Sequence, residues 1–290
     1  MQKWERDEEQ MRQLIGSFED TWRMCKYNMH MPDSKSFRLQ GSVSHSKGRQ
    51  QIILDDMPIQ GLCRAGRHGR VSVTLNKTLQ AAAAYKGKKI AVLNFGSPFA
   101  PGGPGHKSTL TQEECLCRES TLWSCISATE CIDNFYSRHE QNQSNWIGNA
   151  DMIYTPGVTV FKSYDKIPVM MDMSDWFNVD VITMAAPLTC WAGKDKRLDT
   201  EMIAVFERRF MRMIQKAAVE EVDVLILGAF GCGAFGNNPA IVATAAARAI
   251  DETKCLETFE NIEFACYDTG KKKNYRMFRI VLDRYLNASV

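Results

Sequence analysis

The sequence predicts an α/β fold, because a short apolar run that ends in a glycine-rich loop and continues into helix-compatible sequence occurs twice. Residues 89–95, Lys-Ile-Ala-Val-Leu-Asn-Phe, have the composition of a buried parallel strand, and a cluster of Gly and Pro follows at 96–105. Residues 222–227 repeat the pattern before Gly228-Ala-Phe-Gly-Cys-Gly-Ala-Phe-Gly-Asn237 and an alanine-rich stretch that begins near Pro239. Length and composition agree with this class. The 290 residues, 44% hydrophobic and 24% charged, suffice for one large domain with a sizeable core.

From the start of the chain, residues 4–27 carry Trp4, Met11, Leu14, Ile15, Phe18, Trp22 and Met24 at helical spacing, which predicts an amphipathic helix packed on the domain. Residues 28–69 read as polar and irregular, with one short strand at 51–54. Residues 70–75 alternate like a strand and 78–85 have helix composition, so a β-α-β unit is complete on reaching Ile90. Residues 112–126 follow Thr109 and Thr111, either able to cap a helix whose first turn holds Glu113 and Glu114, as the helix dipole favours. Strands are then expected at 151–162, 179–186, 222–227 and 262–267, with helices at 200–218, 239–254 and, amphipathically, 275–286. Neither an internal repeat nor a low-complexity tract is found in the sequence.

Both glycine loops lie at the carboxyl ends of strands, where open α/β sheets bind ligands. Gly102, Gly103 and Gly105 in the first, and Gly228, Gly231, Gly233 and Gly236 in the second, let backbone amides approach a diphosphate closely. The helix start after Asn237-Asn238 adds free amides and a dipole that favours an anion. Neither loop is a nucleotide-binding fingerprint: no Gly-Lys-Ser/Thr is present, and the dinucleotide glycine spacing and acidic partner are missing. An ordinary turn competes with ligand binding for each loop alone. Delivery of the first loop to Gln112-Glu113-Glu114 favours chemistry on a phosphorylated sugar.

In order along the chain, Gly102-Gly103-Pro104 precedes a seven-residue spacer and Gln112-Glu113-Glu114, and Leu116-Cys-Arg-Glu-Ser-Thr-Leu122 follows. Then come Asp151-Met-Ile-Tyr-Thr-Pro-Gly-Val158, Asp180-Val-Ile-Thr-Met-Ala-Ala-Pro187 and the loop from Gly228 to Asn237. This ordered set resembles the bacterial-type poly(ADP-ribose) glycohydrolases, whose catalytic domain is a macrodomain. The resemblance implies a three-layer α/β/α macrodomain-like mixed sheet with an N-terminal helical extension. Residues 1–69 would form that extension and an irregular segment packed on the core, and residues 70–290 the ADP-ribose-binding catalytic domain. One departure is the proline at 104 in place of the signature's third glycine, which removes an N–H donor and fixes φ.

The resemblance further implies that Glu114 is the catalytic acid and base, with Glu113 orienting substrate hydroxyls. Cleavage at an anomeric carbon develops oxocarbenium character and requires a proton for the leaving oxygen, which a carboxylic acid supplies. Substrate contacts are expected from Asn94, Gly102, Gly103, Gly105, Gln112, Gly231, Cys232, Gly233, Ala234 and Phe235. An Asx turn competes for Asn94, core packing competes for Phe235, and Phe230 leans further toward the core. His106 and Lys107 read as a solvated loop, and Ser108 and Ser120 lack a nucleophile-elbow context. Two readings stay open: a hydrolase that releases ADP-ribose from poly(ADP-ribose) or modified protein, and a binding module without turnover. Deacylation of an O-acyl ADP-ribose is a weaker third.

The net charge of +2, from 36 basic and 34 acidic residues, gives no bulk signal for nucleic acid or an anionic membrane. Partners are expected to be ADP-ribose or an ADP-ribosylated protein, with no obligatory nucleic acid, no membrane and a monomeric state. No cofactor is expected. The start of the sequence lacks an apolar signal core, so the ten cysteines are expected to be structural thiols in a reducing cytoplasm, with Cys125, Cys190, Cys232 and Cys266 in apolar surroundings. No Cys-x-x-Cys or His-x-x-x-His pair offers metal-ligand spacing.

Overall fold

A computed structural model describes residues 8–27, 29–30, 36–37, 39–61, 63, 66–103, 108–195, 197–268 and 270–286. The elements begin with α1 (Glu8–Lys26), the paired short strands β1 (Met29–His30) and β2 (Ser36–Phe37), α2 (Leu39–Gly48), β3 (Gln51–Ile53), β4 (Arg70–Thr74), α3 (Thr78–Ala83) and β5 (Ile90–Phe95). They continue with α4 (Gln112–Glu119), α5 (Leu122–Ile126), α6 (Thr129–Cys131), a π-helical turn at Ile132–Tyr136 and α7 (Ser137–Glu140). The second half holds β6 (Met152–Val160), β7 (Phe177–Met184), α8 (Asp199–Val219), β8 (Val224–Leu227), α9 (Pro239–Thr253), β9 (Asn261–Ala265), α10 (Lys273–Val281) and α11 (Asp283–Leu286).

Seven strands form one mixed sheet in the order β3-β6-β7-β5-β8-β9-β4. The five strands from β7 to β4 run parallel, β6 is antiparallel to β7, and β3 is antiparallel to β6. The β-α-β unit from β4 to β5 is therefore a crossover that passes over β9 and β8.

Alternation along the strands splits the core into two layers. Ala91 and Leu93 of β5, Leu225 and Leu227 of β8, and Ile262 and Phe264 of β9 pack with α8 and α9 through Phe206, Phe210, Met213, Val242 and Ala246. Ile90, Val92, Val224 and Ile226 face the other way, against Leu79 of α3, Leu116 of α4, Leu122 of α5 and Phe18 of α1. This is the expected three-layer arrangement. The first helix is tied to it by polar contacts as well: Lys162 Nζ donates to Asp20 Oδ2 at 2.9 Å, and Thr21 Oγ1 donates to the Arg118 carbonyl at 2.6 Å.

Three expectations are corrected. The helix expected over 112–126 is two helices, because Ser120 has extended backbone (φ −147°, ψ 177°) and bridges to Val160 at the end of β6. The Glu119 carbonyl accepts from Phe161 N at 3.1 Å instead of from its own helix, and Ser120 Oγ bonds to Leu116 O at 2.7 Å. The irregular stretch 28–69 contains α2, whose polar sequence lacks a continuous apolar stripe; its serines meet β6, with Ser46 Oγ on Gly157 O at 3.1 Å. Among the cysteines, Cys63 and Cys255 form a disulfide, and Cys190 is exposed.

Candidate active site

The first glycine loop is built on Asn94 and Phe95 at the end of β5 and is closed by the first turn of α4. Gln112 makes the junction: its Oε1 accepts from Phe95 N at 2.8 Å, and its Nε2 donates to Leu93 O at 2.6 Å and Thr78 Oγ1 at 3.0 Å. The side-chain amide is thereby committed to locking helix to strand. Glu113 holds the loop itself. Its Oε2 accepts from Ser97 N at 2.8 Å, and its Oε1 accepts from Asn94 Nδ2 at 3.2 Å and Gly102 N at 3.3 Å. Asn94 also reaches Thr183 Oγ1 on β7 at 3.2 Å, so its fully buried amide positions Glu113.

Gly102 and Gly103 adopt φ of 78° and 74°, a conformation that favours glycine, as the loop folds back over α4. A Cβ on Gly103 would lie 3.6 Å from Glu113 Oε2 and 4.0 Å from Glu114 Oε1, which places this backbone against both carboxylates. Glu114 Oε2 accepts from Thr111 N at 3.3 Å, which confirms Thr111 as the cap residue. Both glutamates are 3% exposed, so this acidic first turn is buried, not solvated. Pro104, Gly105, His106 and Lys107 lie outside the described residues.

Burial dominates Glu113 and pushes its carboxyl up to about 7 against the three N–H donors, and the nearby Glu114 charge adds to the rise. On the same helix, burial pushes Glu119 up to about 8, opposed by Lys77 and Arg118. Both values lie above the ordinary 4.5, so the folded protein retains protons that the unfolded chain releases. Their contribution to stability is complete below about pH 4.5 and is lost as pH rises through about 7 and 8. Glu119→Gln is expected to flatten the decline of Tm between about pH 5 and 8; thermal melts across that window with the wild-type slope retained contradict this.

The second loop, from Gly228 to Asn237, sits beside the first. Gly228 allows close passage, since a Cβ there would lie 2.7 Å from Ala265 O and 2.9 Å from Phe95 Cζ. Asn237 cross-braces the loop: Nδ2 donates to Pro187 O at 2.8 Å and Gly231 O at 3.0 Å, and Oδ1 accepts from Thr189 Oγ1 at 2.6 Å. Asn238 caps α9, accepting from Ala240 N at 3.0 Å, with Pro239 at the helix start. Gly233 and Ala234 are exposed at the tip, and a Cβ on Gly233 would meet nothing within 4 Å. Phe235 is half-buried against the core and its carbonyl accepts from Cys190 N at 3.0 Å; Phe230 is fully buried. Burial pushes the Cys232 thiol up to about 12, which leaves it protonated at neutral pH.

The first loop and the glutamate pair lie within residues 19–163, which match the model of the microbial-type PARG catalytic domain. The chain belongs to that family. The match ends before the second glycine loop. A search of curated proteins finds no match. Among solved structures, poly(ADP-ribose) glycohydrolase from Thermomonospora curvata is similar at 24% identity and a TM-score of 0.80, covering 93% of this chain and 99% of that one. The Deinococcus radiodurans enzyme, solved in complex with ADP-ribose, is 26% identical with a TM-score of 0.73, covering 86% of this chain and 99% of that one. The first likeness carries the fold, which spans β8 and the second loop as well as the family match.

Sequence reasoning singled out Glu113, Glu114, Asn94 and the two loops, and the structure brings them together around the ends of β5 and β8. It missed Ser97, Thr183, Arg118 and Thr189. Arg118, fully buried, donates from Nη2 to the Thr109 carbonyl and so fixes the chain that enters α4. Among the described residues, no group of three metal-ligating side chains converges, and no helix is long and apolar enough to cross a membrane.

Proposed function

We propose that this protein hydrolyses the O-glycosidic bond of poly(ADP-ribose) or of ADP-ribosylated protein and releases ADP-ribose, with Glu114 as general acid and base. The observation that carries the reading is the placement of Gly103 against both carboxylates of a family member's glutamate pair, with the second glycine loop alongside. In the proposed reaction Glu114 gives its proton to the leaving oxygen as the bond to the anomeric carbon breaks. The resulting carboxylate takes a proton from water, whose oxygen bonds to the oxocarbenium carbon. Glu113, engaged by Ser97, Gly102 and Asn94, fixes the loop that lies over the reacting sugar. Supporting the substrate class is the complex of the Deinococcus radiodurans protein with ADP-ribose.

The exposed tip of the second loop is proposed to meet the diphosphate. Gly233 has room for a side chain without displacing protein atoms, so Gly233→Val is expected to fold normally and to lose ADP-ribose affinity at least about tenfold by filling the ligand's space. Calorimetry on the folded variant checks this, and wild-type affinity would remove the loop from the binding site.

A further inference from the structure

On the outer side of the first loop, Phe99 stacks on Trp191 with ring centroids 5.4 Å apart and planes 13° from parallel. Trp191 is 55% exposed, so its indole presents a broad aromatic surface to solvent. Both residues are tied to the two glycine loops. Phe99 N donates to Ser97 Oγ at 3.2 Å, and Ser97 N is a donor to Glu113; Cys190, next to Trp191, donates its N–H to Phe235 O.

Phe99 also lines a cleft, together with Pro98, Leu188, Arg138, His139 and Asn142. The lining mixes apolar side chains such as Trp146 and Ile147 with three asparagines and the Arg138 cation, a combination that suits a nucleotide's base and phosphate. His139 is 6% exposed; its Nδ1 lies 2.8 Å from Phe135 O, a carbonyl that only accepts, so Nδ1 carries the proton. Its Nε2 has no hydrogen-bond partner among the described residues. Arg138 Nε is 3.8 Å from Asp151 Oδ2 with the side chain half-exposed, so the guanidinium still reaches solvent.

We infer that Trp191 and this cleft form a subsite for the nucleotide on the leaving-group side of the scissile bond, the second ADP-ribosyl unit of a polymer. An exposed aromatic face held by a second ring provides a stacking platform for a purine at low ordering cost, and such stacking contributes about 1–3 kcal/mol per base. The cleft supplies a cation for phosphate and neutral polar groups for hydroxyls or the base edge. The inference rests on the proposed glycohydrolase function for the identity of that unit, and two measurements separate the two.

The first is hydrolysis of a two-unit ADP-ribose oligomer beside a serine-linked single ADP-ribose, by wild type, Trp191→Ala and Asn142→Ala. KM on the oligomer is expected to rise about tenfold in Trp191→Ala and less in Asn142→Ala, with little change on the single unit. Equal losses on both substrates, or none on either, overturn the subsite. The second is calorimetric binding of AMP to protein saturated with ADP-ribose, which needs no turnover. Binding by wild type that weakens about tenfold in Trp191→Ala supports the subsite even if no substrate is cleaved, in which case the glycohydrolase function is what fails. Wild-type protein that takes up no AMP under these conditions overturns the subsite.

Discussion

Glu114→Gln is expected to reduce release of ADP-ribose by about a thousandfold or more while ADP-ribose affinity changes by no more than about threefold. The amide keeps the size of the side chain and an oxygen to accept from Thr111 N, so the cap of α4 and the closing of the loop persist. What it cannot do is lose and regain a proton. Turnover by the variant within about tenfold of wild type would exclude Glu114 as the proton donor, and lost binding with lost turnover would give it a structural role instead.

Glu113→Ala is expected to behave in the opposite way, losing ADP-ribose binding together with turnover. The substitution leaves Ser97 N, Gly102 N and Asn94 Nδ2 without the carboxylate that gathers them. Three buried or half-buried donors lose their acceptor, at a cost of about 2–4 kcal/mol in stability, and the loop that covers Glu114 loses its anchor. Chemical denaturation reads the stability and calorimetry reads the binding. A Glu113→Ala protein of unchanged stability and affinity would mean that the loop is held by other contacts.

The strands that frame the site are legible because β5 and β8 are short, mostly apolar runs each followed directly by glycine, as buried parallel strands leading into a tight loop often are. Their order is not, since β4 and β5 are neighbours in sequence with two strands between them in the sheet. The break of α4 from α5 was hidden because Ser120 is drawn into extended backbone by β6, an element that lies about forty residues away in the chain. Helix α2 was hidden because serines, not a continuous apolar stripe, bond it to β6. In the site, residue type revealed the acids and the loops, whereas the division of labour between them emerged only from the fold. Gln112, expected to touch substrate, has both amide atoms engaged by Leu93, Phe95 and Thr78, whereas Asn94 commits Nδ2 to Glu113 and Thr183 and keeps Oδ1 without a partner among the described residues. The disulfide between Cys63 and Cys255 joins residues 192 apart, a pairing that spacing alone does not reveal.

The most direct measurement is release of free ADP-ribose from poly(ADP-ribose) and from mono-ADP-ribosylated protein, wild type beside Glu114→Gln, with ADP-ribose calorimetry on the same preparations. The expected result is release by wild type from at least one substrate, loss of that release in Glu114→Gln, and comparable ADP-ribose binding by both proteins. ADP-ribose bound by wild type with no release from any substrate would contradict hydrolysis and leave a reader of ADP-ribose.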